Sequence, residues 1–212
     1  MRAYVGLGAN LGDAAATLSE AVHALAATPG VRVRGVSRLY ATAPVGVLDQ
    51  PEFRNAVVAI DVPVGPDPTS AAVALLVELK RLERAFGRRV RGRWGPRELD
   101  LDLLVFGRRR ISVERPPEGM SVDPVKAATP DGRLLEIPHP SARDRLFVLA
   151  PLADLAPGLV PPGWGETVGR ARGRLARVEG DGAVRPLATW VEAAGAWRPL
   201  ETGSSDGERL EP

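Results

Sequence analysis

Apolar positions along the chain follow two rhythms, one of about 3.6 residues and one of two, and their order predicts the fold. The segment Ala3-Tyr4-Val5-Gly6-Leu7-Gly8 is short and mostly apolar, which predicts a buried strand. Leu18, Val22 and Leu25 then recur at helical spacing over 13–27, behind Asp13, whose carboxylate suits a helix N-cap. Thr28-Pro29-Gly30 stops this helix, and the alternation Val31-Arg32-Val33-Arg34-Gly35-Val36 predicts a half-exposed strand that continues to about Thr42. Turn formers Pro44, Gly46 and Asp49 separate it from a third strand over 53–62. A second long helix over 69–86 places Val73, Leu76, Leu79, Leu82 and Phe86 on one face, and a strand follows over 99–106. The order βαββαβ predicts an α+β domain with a ferredoxin-like core, an antiparallel sheet with its helices packed on one face.

Beyond Gly107 the periodicity fades. Residues 109–114 read as an edge strand, 116–134 as a surface insertion rich in Pro and Gly, and 147–155 as a short apolar helix ending near Pro157. A catalytic domain over 1–162 is therefore expected, followed over 163–212 by a C-terminal extension that is Gly-, Ala- and Arg-rich, with 201–212 polar enough to be disordered. No internal repeat is present.

Composition narrows the chemistry. With 212 residues, 44% hydrophobic and 25% charged, the chain is sized for one core, and no stretch reaches the roughly 18 apolar residues of a membrane span. The first residues enter a strand with no secretory signal pattern, so a cytoplasmic protein is expected, with no membrane partner. No cysteine is present, and His23 and His139 are the only histidines, so any metal must be held by oxygen. The charge balance is nearly even at +2, yet all but Lys80 and Lys126 of the basic residues are arginine. An arginine-preferring genome explains that total. It does not explain the bunching of Arg81, Arg84, Arg88, Arg89, Arg91, Arg93 and Arg97.

That bunch leads into Arg97-Glu98-Leu99-Asp100-Leu101-Asp102. Alternation by two puts Asp100 and Asp102 on one face of a strand, with Leu99, Leu101 and Leu103 on the other. Two such carboxylates repel unless a proton or a divalent cation sits between them, and Mg²⁺ shared with substrate phosphates suits an oxygen-only set. A solvent-facing strand edge is the alternative. The Gly- and Arg-rich loop over 87–97 is able to close on a polyphosphate, or is a solvated basic patch, and Trp94 in its middle suits stacking on a flat ring. Asn10 reads as a loop brace, Asn55 as a side chain able to pair with an amide-like edge, and His23 as surface. His139 is held between Pro138 and Pro140, with Arg145 six residues on. The run Gly6-Leu7-Gly8-Ala9-Asn10-Leu11-Gly12 has its third glycine misplaced for a dinucleotide fingerprint, and no Walker A sequence occurs.

Taken together, Gly6-Leu7-Gly8-Ala9-Asn10-Leu11-Gly12-Asp13, Tyr40-Ala41-Thr42-Ala43-Pro44-Val45-Gly46, Asp49-Gln50-Pro51-Glu52-Phe53-Arg54-Asn55-Ala56, Arg93-Trp94-Gly95-Pro96-Arg97-Glu98-Leu99-Asp100-Leu101-Asp102 and Ile137-Pro138-His139-Pro140 resemble the 6-hydroxymethyl-7,8-dihydropterin pyrophosphokinases of folate biosynthesis, in order from residue 3 to about 160. The resemblance implies a monomer that transfers pyrophosphate from ATP to the pterin hydroxyl and releases AMP. It implies that Asp100 and Asp102 hold two Mg²⁺ ions and that Arg88 and Arg97 join them in catalysis. Glu83, Arg88, Trp94, Arg97, His139 and Arg145 would contact ATP, and Thr42, Pro44, Val45, Phe53, Asn55 and Phe147 would line the pterin slot. Arg115 and Arg133 both compete for a further arginine position, and Pro140 stands where some relatives carry Tyr. The loops 43–52 and 87–95 are expected to move.

Two other readings remain. A ferredoxin-like sheet with basic loops is able to carry RNA, but the chain lacks an aromatic ladder and the Asp pair would repel phosphates, so no nucleic-acid partner is expected. A different Mg²⁺-dependent transferase, or an inactive relative, keeps the Asp-x-Asp strand and loses the pterin.

Overall fold

β1 (Arg2–Ala9) runs through the sheet with β4 (Phe53–Asp61) on one side and β5 (Asp100–Phe106) on the other, both antiparallel to it. The computed structural model describes residues 1–44, 49–87, 95–115, 132–180 and 182–200. Alternation along β1 sends Ala3, Val5, Leu7 and Ala9 into a core shared with α1 (Ala14–Ala27) and α2 (Pro68–Ala85). Both helices begin where a carboxylate meets free backbone N–H groups: Asp13 accepts from Ala16 N, and Asp67 from Thr69 N and Ser70 N.

The strand expected over 31–42 is two strands, β2 (Arg32–Val36) and β3 (Leu39–Thr42), both paired with β4. Ser37 causes the break. Its N–H donates to Val57 O and its hydroxyl accepts from Val57 N, so side chain and backbone together occupy one rung of the ladder. A second irregularity shapes β5: Tyr4 lies opposite Val105 and Val5 opposite Leu103, which leaves Leu104 as an extra residue. Both Leu104 and Val105 consequently face away from α1 and α2, into a second core.

That second core corrects the expectation of helices on one face. α3 (Leu146–Leu155) and α4 (Val168–Glu179) cover the opposite side of the sheet, where Leu149, Leu152, Trp164 and Val168 pack on Val57, Leu104 and Val105. The segment expected as an extension from residue 163 also supplies β8 (Val184–Val191), paired with β3, and β9 (Ala196–Pro199), paired with β8. The sheet thus runs β5-β1-β4-β3-β8-β9, with β2 also on β4. His23, read as plain surface, reaches this hairpin through Nε2 and Gly195 O at 2.8 Å. Gly195 has φ +57°, and a Cβ there would collide with the His23 ring. Residues 201–212 lie outside the described residues.

The edge strand expected over 109–114 is β6 (Ile111–Glu114), which forms a separate two-stranded sheet with β7 (Arg133–Ile137). Arg133 and Leu134 therefore belong to a strand and not to the insertion, whose residues 116–131 lie outside the described ones. Among the described residues no helix is long and apolar enough to cross a membrane.

α3 is fastened to β3 by a polar knot. The Tyr40 hydroxyl donates to Asp154 at 2.9 Å, and the Arg38 guanidinium pairs with the same carboxylate at 2.6 Å. Burial, followed by the Asp154 charge and hydrogen bond, holds the Tyr40 phenol above its ordinary pKa of 10.0. A phenol raised in the folded state stabilises fully below the unfolded value and loses that contribution as pH climbs through the folded one. Tyr40→Phe is expected to cost about 1–3 kcal/mol in denaturant unfolding at neutral pH. The wild type should lose stability above pH 10.0 more steeply than this variant.

Candidate active site

Gly6 and Gly8 point to the second face of β1 but carry no side chains, and beside α3 this bare strip is the floor of a cavity of about 260 Å³. The sequence places these glycines in a buried strand and in the first block of the family resemblance, without assigning them a role. Their spacing by two within a strand was the signal for a flat floor.

Register arranges the polar groups around that floor. Gly8 pairs with Asn55 on β4 and Asp100 on β5, and Gly6 with Val57 and Asp102. Two interstrand spacings put Asn55 and Asp100 roughly 9–10 Å apart across the floor, and Asp100 and Asp102 are roughly 7 Å apart along one edge. Leu99, Leu101 and Leu103 point into the core between the helices and the sheet, as expected.

Asn55 is buried on the β4 wall, and its Nδ2 donates to Thr42 Oγ1 at 2.8 Å. That bond leaves Oδ1 facing Gly8, where a Cβ would sit 3.5 Å from it. Thr42, Phe53, Phe147 and Val148 complete an apolar-walled slot at this end. The other end is ionic: Arg97, Asp100, Asp102, His139 and Arg145 all line it. His139 is fixed by its N–H on Leu104 O, the extra carbonyl of the β5 irregularity, and its Nδ1 accepts from Ser141 N at 3.3 Å. With Nδ1 accepting, the donor position of the ring is Nε2. Arg145 lies with its guanidinium carbon 5.7 Å from the centre of the Phe147 ring, and its carbonyl accepts from Val148 N and Leu149 N at the start of α3.

Asn10 braces this end, as expected of a loop asparagine. Its Nδ2 donates to Gln50 Oε1 and Pro51 O, and its Oδ1 accepts from Arg97 N at 2.7 Å, while its own N–H donates to Arg97 O. One buried amide thus fixes the backbone of Arg97 and the foot of the 43–52 loop together.

The other expected site residues do not line this cavity among the described residues. Pro44 is half-buried and does not line the cavity. Glu83 is buried behind β5, where its carboxylate takes Lys80 and the Leu101 N–H, and it does not line the cavity. Arg133 pairs with Glu136 at 3.0 Å, and Arg115 N–H donates to Gly132 O, so both sit at the β6–β7 sheet. Val45, Arg88 and Trp94 lie outside the described residues.

The donor set fits Mg²⁺ of one kind only. Among the described residues no group of three or more His, Cys, Asp or Glu is placed to enclose a metal. Asp100 and Asp102 offer a two-carboxylate edge facing an arginine-lined space, the arrangement in which Mg²⁺ takes its remaining ligands from substrate phosphates and water.

Comparison with known proteins gives the family. Residues 4–157 match the family described as 7,8-dihydro-6-hydroxymethylpterin-pyrophosphokinase. A 2-amino-4-hydroxy-6-hydroxymethyldihydropteridine pyrophosphokinase from Methylorubrum extorquens is 43% identical over 174 residues, covering 82% of this chain and 93% of the relative. One of the same name from Bacillus subtilis is 38% identical, covering 72% of this chain and 77% of its own. The crystal structure of wild-type Plasmodium falciparum HPPK-DHPS superposes with a TM-score of 0.67 at 14% identity, covering 94% of this chain, which spans 50% of that longer one. The fold it shares is a mixed helix and antiparallel-sheet architecture. The chain belongs to the 7,8-dihydro-6-hydroxymethylpterin-pyrophosphokinase family. It is accordingly a transferase, a pyrophosphokinase of folate biosynthesis.

The bare floor makes a direct test. A Cβ on Gly8 meets nothing closer than ordinary contact, so Gly8→Val should fold with its melting temperature changed little. Its branched side chain fills the slot, and affinity for a pterin measured by titration calorimetry should fall at least about tenfold.

Proposed function

We propose that this chain transfers the pyrophosphoryl group of ATP to 6-hydroxymethyl-7,8-dihydropterin with Mg²⁺, yielding the pterin diphosphate and AMP. The observation that carries the reading is one cavity with two unlike ends, an amide and aromatic slot around Asn55 and an ionic end built on Asp100 and Asp102.

In the slot, Asn55 Oδ1 accepts from the amide-like edge of the pterin, its orientation fixed by Thr42, while Phe53 and Phe147 supply apolar ring faces to the same space. At the ionic end Asp100 and Asp102 would hold two Mg²⁺ ions. Ions held by these two carboxylates would supply charge neutralisation to the phosphates and ease attack on the β-phosphorus. Arg97 and Arg145 add fixed positive charge, and His139 offers its Nε2 proton as a donor to a phosphate or nucleotide oxygen. Arg88, Trp94, Val45 and Pro44 are assigned to the same ligands by motif position.

The pterin hydroxyl oxygen then bonds to the β-phosphorus as the bond from that phosphorus to the α,β-bridging oxygen breaks. The hydroxyl proton passes to water and AMP leaves. This displacement needs alignment and charge neutralisation more than a strong base. The floor between Asn55 and Asp100 serves that alignment, since a ring seated on Gly8 directs its substituent toward the aspartates. The chain is proposed to act as a monomer.

The test is AMP release from ATP that depends on hydroxymethyl-dihydropterin and on Mg²⁺. D100N/D102N should fold and lose at least about a hundredfold in kcat. Undiminished turnover in that variant, or AMP release without the pterin, overturns the reading.

A further inference from the structure

Lys80 and Glu83 form an ion pair inside the core, 5% and 1% exposed, on the buried side of α2. Neither lines the cavity. Burying a charged pair costs desolvation, and apolar side chains of similar length would fill the space as well or better. What apolar side chains cannot replace is the hydrogen bonding. Glu83 Oε1 accepts from Leu101 N at 2.8 Å, Lys80 Nζ donates to Leu101 O at 3.0 Å, and the two side chains bond to each other.

Leu101 is the residue between the two aspartates, and β5 is the last strand of the sheet on that side. In an antiparallel ladder successive residues turn their backbone groups alternately toward and away from the partner strand. Asp100 and Asp102 pair with Gly8 and Gly6 of β1, while the Leu101 groups are taken from the other side by α2. The strand is therefore gripped from both edges where the carboxylates emerge.

We propose that Lys80 and Glu83 are positioning residues for the pyrophosphoryl transfer. By holding both backbone groups of Leu101 they fix the spacing and direction of Asp100 and Asp102, and so the geometry in which Mg²⁺ and the triphosphate are held. This rests on the reading that the two aspartates carry the metal.

Two double variants separate positioning from simple stabilisation. K80M/E83L keeps the volume and removes every hydrogen bond to Leu101; K80Q/E83Q removes the charges but keeps one amide donor and one amide acceptor. Four quantities are measured on each full-length chain: melting temperature, amide exchange at Leu101, Mn²⁺ affinity with a non-hydrolysable ATP analogue, and kcat with the KM for the pterin. K80M/E83L is expected to melt within a few degrees of the wild type and to exchange the Leu101 amide faster. Its Mn²⁺ affinity and its kcat should each drop by about tenfold, the cost of one or two lost hydrogen bonds to a required geometry. Its pterin KM should not change, because the Asn55 end is untouched. K80Q/E83Q should recover most of both losses.

Wild-type Mn²⁺ affinity and kcat in folded K80M/E83L overturn the proposal, as does a K80Q/E83Q no better than K80M/E83L. If K80M/E83L does not fold, Lys80→Gln is compared with Lys80→Met, of which only the first still donates to Leu101 O; equal kcat and Mn²⁺ affinity in that pair overturn it. Failure of the underlying reading shows differently, as a wild-type chain that releases no AMP with all substrates present.

Discussion

The register of β1 against its two neighbours is the constraint on which the rest depends. Gly8 must lie opposite both Asn55 and Asp100, and Gly6 opposite both Val57 and Asp102, for the amide slot and the carboxylate edge to share one floor. A slip by one residue would turn Ala9, Leu7 and Val5 onto that floor and send the glycines into the core. The apolar side chains of β1 and the functional gap beside them are thus fixed by the same alternation. Packing against α1 and α2 on one face determines where the ligand sits on the other.

Covering the second face only in part makes a cavity from a sheet. α3 and α4 bury Val57, Leu104 and Val105, and where α3 begins, at Arg145 and Phe147, the cover gives way to the glycine floor. The irregularity in β5 serves both regions. It turns Leu104 and Val105 together toward α3, and its extra carbonyl receives His139 N–H. Ser37 does comparable service on the other flank, where the offset between β2 and β3 carries Tyr40 to Asp154 and Thr42 to Asn55.

Most of the first 106 residues were legible because their periods were clean. Asp13 at a helix start, the face through Leu76, Leu79 and Leu82, and the alternation through Asp100 and Asp102 each predicted an element and its orientation. The break at Ser37 was not, because a serine hydroxyl that substitutes for a backbone group leaves no mark on hydrophobic periodicity. The elements after 163 were not legible for another reason. α4 buries only Val168 and Ala171, and β8 buries only Ala188, so neither shows a full apolar face. In the site, Thr42, Phe53, Asn55, Arg97, Asp100, Asp102, His139, Arg145 and Phe147 come together, whereas Glu83 is buried behind β5. A buried charge on an apolar helix face reads as surface until its partner is seen, and Lys80 gave no sign on its own.

β8 lies along β3, with Val184 opposite Thr42, and Arg185 reaches Glu52 at 2.7 Å beside the entrance to β4. Residues 184–199 are therefore the outer planks of the same sheet and not a detachable tail. Splicing a tag, linker or fused enzyme into the chain ahead of them would strip the covering from Leu39–Thr42 and leave an open row of backbone groups ready to recruit another chain. A junction placed after Pro199 avoids that exposure.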